Sequence, residues 1–105
     1  MTFSSGASET GFSFSGWSAG GGTIWHTSLG TNATVSKNSG TWDFTSFTTA
    51  PFAGTNNYQV TSNLGHSYTF TGASATHSLS WTGVTTVTFL RTSGSAAAED
   101  FDNFV

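Results

Sequence analysis

The chain has no cysteine, one proline, and only two basic and five acidic side chains in 105 residues. Each shortage excludes something. Without cysteine there is neither a disulfide nor a thiolate metal site to staple the fold. With Lys37 and Arg91 as the only lysine and arginine, there is no positive footprint for a nucleic-acid backbone. No apolar run approaches the ~18 residues that a membrane-spanning helix needs. Strong helix formers are sparse, and the one alanine run, Ala96 to Ala98 followed by Glu99, is too short to stand as a helix. Residues 1–20 lack the basic start and apolar centre of a signal peptide. The composition nevertheless suits a secreted or cell-surface protein, so a mature or excised piece of a secreted precursor is expected.

What replaces charge is hydroxyl. Serine and threonine dominate the polar positions, and charged residues make up 7%, against about 25% in ordinary domains. Ten Phe, four Trp and two Tyr supply the apolar area that such a chain needs for a core. This aromatic content argues against a disordered polar tract. The length is that of one domain, expected to span 1–105.

The periodicity is that of strands, with side chains alternating between two faces. Phe12-Ser13-Phe14-Ser15 alternates cleanly, and Gly16 marks a bend before Trp17. Further strands are expected at 23–27, 31–36, 41–47, 58–61, 66–71, 76–81 and 84–90, with Phe101 to Val105 closing the domain. Residues 48–57, with Pro51 and Gly54, read as a long loop or an irregular edge, Gly20 to Gly22 as a turn or close-approach loop, and Gly83 as the point where the chain reverses. His77, Leu79 and Trp81 share one face; so do Val87 and Phe89, opposite Thr86, Thr88 and Leu90. About eight short strands with glycine-rich turns predict an all-β fold of two packed antiparallel sheets.

Candidate chemistry is thin. There is no G-x-S-x-G elbow for a nucleophilic serine. Asp43 with Asp100 or Asp102 is the candidate for an opposed carboxylate pair. His66 and His77 are candidate cross-strand neighbours, read as structural before metal-binding. Four charged residues, Arg91, Glu99, Asp100 and Asp102, fall in the last fifteen positions. Glu99, Asp100 and Asp102 are the candidate ligands of a structural calcium ion, which takes hard oxygens from carboxylates and carbonyls. The competing reading makes Asp102 a clamp on backbone N–H groups. In a regular strand Asp100 and Asp102 share one face, and Phe101 shares the other with Asn103. For a sugar, aromatic plates beside hydroxyls and amides are wanted. Trp25 with His26 is the best exposed pair by context, and Trp17, Asn56, Asn57 and Tyr58 complete the candidate ligand-binding set. Trp81 is assigned to the core. Asn32-Ala33-Thr34 fits a glycosylation acceptor.

The segment Ser78-Leu79-Ser80-Trp81-Thr82-Gly83-Val84-Thr85-Thr86-Val87-Thr88-Phe89, followed after a loop by Phe101-Asp102-Asn103-Phe104-Val105, resembles the closing part of bacterial secreted proteins that carry a PEP-CTERM sorting tail. Its ending is also similar to that of galactose-binding-like jelly rolls, including many carbohydrate-binding modules. Gly40 to Phe47 and Gly11 to Trp17 resemble earlier strands of the same group. The resemblance implies a jelly-roll β-sandwich, export, and no enzymatic activity. It also implies an inter-sheet core role for Trp81 and a calcium-linked role for Asp102. The sorting tail is absent from this chain. The expected function is a non-catalytic structural or adhesive surface domain that self-associates or meets surface glycans; the alternative is a carbohydrate-binding module.

Overall fold

The computed structural model describes residues 9–20, 23–26, 32–51, 56–94 and 99–105. They form ten strands: β1 (Phe12–Ser15), β2 (Ser18–Gly20), β3 (Thr23–His26), β4 (Asn32–Lys37), β5 (Trp42–Pro51), β6 (Asn57–Ser62), β7 (Ser67–Thr71), β8 (Ala75–Val84), β9 (Thr86–Ser93) and β10 (Glu99–Asp102). One sheet has the order β1-β4-β9-β6-β7, the other β2-β3-β10-β5-β8. Every pairing is antiparallel. The eight strands β3–β10 make the two four-stranded orders of a jelly roll, 4-9-6-7 and 3-10-5-8. β1 and β2 extend the two sheets on the same side.

Alternation builds the core. Ala33 and Val35 of β4, Val87 and Phe89 of β9, and Tyr58 and Val60 of β6 are buried, while their sequence neighbours face outward. Phe44 and Phe47 of β5, Phe101 of β10 and Trp81 of β8 meet them from the other sheet. Phe47 sits at the centre: Phe89 and Phe70 present edges to it at 5.3 and 5.0 Å between ring centroids. Such edge-to-face pairs add about 0.5–1.5 kcal/mol each beyond area burial.

Four details depart from the expected pattern. β5 runs on through Thr48 to Pro51, because Thr48 and Thr49 pair with Thr76 and Ala75 on one side and with Asp102 and Phe101 on the other. Gly20, expected in a turn, instead ends a short strand, β2, that pairs with β3. Gly83 does not reverse the chain. It lies within β8 at φ 67°, and its N–H donates to Asp43 Oδ1 at 3.0 Å. The β5–β8 register slips twice, each time leaving one more residue on β8 than on β5. Finally, the last strand starts at Glu99, two residues before the closing segment expected from Phe101.

The end of the chain corrects the expected parity as well. Asn103 is exposed and left-handed, at φ 52°. That single reversal turns Phe104 inward, so Phe101 and Phe104, three positions apart, are both 1% exposed. The segment stays in the sheet: Val105 N–H donates to Ser46 O at 2.9 Å, and Thr45 N–H to Val105 O at 2.6 Å.

Candidate functional site

Antiparallel pairing brings the ends of β3, β5, β7 and β9 and the starts of β4, β6, β8 and β10 to one end of the sandwich. The expected binding set divides along these elements. Trp25 and His26 close β3, and Asn57 and Tyr58 open β6. By register Trp25 stands opposite Asp100, and His26 opposite Glu99. The side chains of Trp25, His26 and Glu99 lie outside the described residues.

The other expected plate, Trp17, is structural. Its ring wedges between the sheets where the chain crosses from β1 to β2, edge-on to Phe89 and Phe101 at 5.4 and 5.2 Å. Its Nε1–H donates to Thr34 O at 2.9 Å. Gly16 permits the crossing: it sits at φ 81°, and a Cβ there would stand 2.5 Å from Asn32 O. Asn56 is fully buried, and its carbonyl accepts Gly72 N–H at 2.8 Å. Tyr58 is 1% exposed and stacks on Phe70 at 5.5 Å, so its ring offers no free face. Among the described residues the exposed large hydrophobics are Leu64 and Val105, with no aromatic ring.

Two hollows stand out among the described residues. The larger, about 450 Å³, lies over β6, β7 and β9 and is lined by Asn57, Tyr58, Thr69, Phe70, Thr71, Thr92 and Ser93. It opens where the β6–β9 register slips next to Asn57. Asn57 Nδ2 donates to Ser93 Oγ at 2.7 Å across it. The smaller, about 170 Å³, lies over β5 and β10 and collects Asp100, Asp102, Asn103 and Thr48. There Asp102 Oδ1 accepts Asn103 N–H at 2.8 Å, a backbone clamp on the left-handed residue. Thr48 Oγ1 donates to Asp102 O at 3.1 Å and accepts Asn103 Nδ2–H at 3.3 Å. Among the described residues no three His, Cys, Asp or Glu side chains converge on a metal position. Asp43 lies five positions along β5 from Thr48, the partner of Asp102. That is about 16 Å of strand, well beyond the ~5–9.5 Å of a glycosidase pair.

His66 and His77 pack in different places. His66 stacks on Trp81 at 5.1 Å. His77 is buried between Phe47 and Phe70, each 4.8 Å away, and heads a hydrogen-bonded chain that the sequence reading missed. Tyr68 Oη lies 3.1 Å from Nδ1, Thr49 Oγ1 lies 3.0 Å from Nε2, and Thr49 Oγ1 lies 2.8 Å from Ala73 O. The proton order follows by elimination. A carbonyl only accepts, so the Thr49 hydroxyl gives its single proton to Ala73 O. It must then accept from Nε2–H, which leaves Nδ1 bare to take the Tyr68 proton. His77 is thus a neutral ε-tautomer, and desolvation by burial lowers its pKa from 6.5. The chain ties β7 of one sheet to β5 and β8 of the other.

No protein-family model matches the chain, and no curated protein matches it.

Proposed function

We propose that this domain is a non-catalytic adhesive or structural module of an extracellular or cell-surface protein. The observation that carries the reading is where the side chains face. The described aromatic rings are buried or packed against the core, and of the two strand-borne cations Arg91 is buried and Lys37 half-buried. Lys37 Nζ lies over the Phe12 ring at 4.6 Å, and buried Arg91 donates to Gly94 O. What remains outside among the described residues is mostly neutral hydroxyl and amide, with Glu9, Asp43, Asp100 and Asp102 the carboxylates at outward positions. Such a surface repels little at close range and offers many weak hydrogen bonds, which suits contact with hydrated, uncharged surfaces. The resemblance to secreted proteins with a PEP-CTERM tail supports export.

Carbohydrate binding is the second reading. It is favoured by the hollow over β6, β7 and β9, whose polar lining is uncharged throughout. Adhesion can be measured directly, with beads coated in the folded domain and presented to bacterial surfaces and to glycan-coated plates. Retention above that of an unrelated neutral β-sandwich is expected. Retention equal to that control removes the adhesive reading.

A further inference from the structure

We infer that the free edge of β8 is a self-association surface, and that its partner is the same edge of a second copy, paired antiparallel about a two-fold axis through His77. The pairing holds whether or not the domain is adhesive.

An open sandwich ends each sheet in strands with unpaired main-chain groups. Proteins blunt such edges by keeping them short or by placing charge or proline on them. Three of the four edges here are short: β1 has four residues, β2 three and β7 five. β8 has ten, from Ala75 to Val84, and among the described residues it pairs only with β5. It contains no Lys, Arg, Asp, Glu or Pro. Its second half is bent by the two register slips, both beyond Ser78. Ala75 to Ser78 stay regular, opposite Thr49 to Ser46.

The bonds on the far side of β5 fix which way this stretch points. Ser46 donates its N–H to Val105 O at 3.3 Å and accepts Val105 N–H at 2.9 Å. Its main-chain groups therefore turn away from β8, and Ser46 and Ser78 form a non-hydrogen-bonded pair. The N–H and C=O of Ser78 then point out of the sheet, and so do those of Thr76, two positions back. The side chains of Thr76 and Ser78 are exposed on the outer face, and His77 between them is buried on the inner one. A two-fold axis through His77 sets Thr76 of each copy opposite Ser78 of the other. Each opposed pair exchanges two bonds, so the outward groups of both chains are satisfied together. An offset of one residue sets an outward-bonding residue against His77, whose main-chain groups point to β5. An offset of two leaves a single self-pair within the regular stretch.

Like copies approach this edge with little repulsion. The carboxylate aligned with Thr76, on Asp102, lies two strands away across Thr48. That is about 10 Å from the edge, at the limit of electrostatic reach in physiological salt. The opposed side chains are hydroxyls, a pairing that hydrogen-bonds across strands. Four main-chain bonds at a solvent-exposed edge support a weak dimer, with Kd about 0.1–1 mM. Such a dimer forms where copies are crowded.

The test is sedimentation equilibrium of the whole chain, from about 10 μM to about 1 mM, which brackets that affinity. The expected mass rises with concentration toward a dimer and stops there. Thr76→Pro removes an outward N–H that the β5 pairing does not use, so the fold is kept and dimerisation weakens by about tenfold. Thr88→Lys, on the outer face of the other sheet, changes nothing. The register is read by charge exchange. A chain with Thr76→Lys and Ser78→Lys, and one with Thr76→Asp and Ser78→Asp, each stay monomeric alone. Mixed at low salt they form a heterodimer about tenfold tighter than the wild-type dimer. The same charges placed at Thr34 and Thr88 of the opposite sheet produce none. This arm decides the matter even where Thr76→Pro fails to fold. A wild-type chain that is monomeric at the highest concentration overturns the inference, and so does a dimer that folded Thr76→Pro leaves unchanged. A charge mixture without heterodimer, or growth beyond the dimer, also overturns it. So does a monomer whose β8 edge instead captures an unrelated extended peptide.

Discussion

Tyr68→Phe is the sharpest probe of the bonding deduced around His77. The substitution keeps the ring, whose centroid lies 5.9 Å from Phe70 in stacked geometry, and deletes one proton donor. In the folded protein the bare Nδ1 of a buried, neutral imidazole then loses its partner. An orphaned buried acceptor costs about 1–3 kcal/mol. At about 4–8 °C per kcal/mol for a domain of this size, a central cost of about 1.5 kcal/mol lowers the melting temperature by about 6–12 °C. Differential scanning calorimetry at pH 7.5 reads this directly. The pH dependence supplies an independent sign. Burial holds the folded pKa below 6.5, so the unfolded chain binds the proton more readily than the folded one. His77 therefore contributes full stability above about pH 6.5, and this contribution is lost as pH falls below that value toward the folded pKa. His77→Gln should melt lower at neutral pH and show a shallower loss of stability between pH 7 and 5 than wild type. Carboxylates titrate mostly below that window. A Tyr68→Phe protein within 0.5 kcal/mol of wild type, together with an unchanged acid slope in His77→Gln, would refute the tautomer and the chain built on it.

Two further predictions concern packing. Gly16→Ala forces a side chain into the left-handed region, at about 1–2 kcal/mol, and also drives Cβ against Asn32 O. The expected total is about 3 kcal/mol or more, read as a lowered urea midpoint with unchanged slope; a midpoint equal to wild type would show that β1 can leave the sheet without consequence. Phe104→Ala should cost about 3–5 kcal/mol, whereas Val105→Ala, at a side chain 59% exposed, should change the melting temperature little. Comparable losses in the two variants would mean that the left-handed turn at Asn103 does not insert Phe104.

The layered architecture was legible because alternation survives wherever strands are regular. His77, Leu79 and Trp81 on one face, and Val87 and Phe89 opposite Thr86 and Thr88, were read from the sequence and stand in the structure. The reading failed where one residue breaks the period. Left-handed Asn103 inverts the parity of everything after it; asparagine tolerates that conformation, but its presence alone does not say that the inversion occurs. After Phe47, Pro51 and Gly54 make the sequence read as a loop or an irregular edge; the strand character of Thr48 to Pro51 comes from β8 and β10 on either side. The site was harder still. The inward parity of His77 was visible, and an inward polar ring must find partners. That Thr49 and Tyr68 supply them depends on pairings 28 and 9 positions away. Trp17 among small polar residues reads as core or as a candidate exposed plate; the β1–β2 crossing decides it by turning the ring between the sheets.

β10 is the last strand in chain order, and it occupies the middle of its sheet, between β3 and β5. Before it docks, β3 and β5 each present an unsatisfied backbone edge, and the Phe47 side of the core lacks the Phe101 ring. Two antiparallel seams close together when it arrives. Folding is thus gated by the segment with the longest separation from its partners, a topology that favours slow, late commitment. A chain held without its β10 segment would keep a strand-sized slot open at its centre. A short peptide matching 99–105 has the shape to fill that slot.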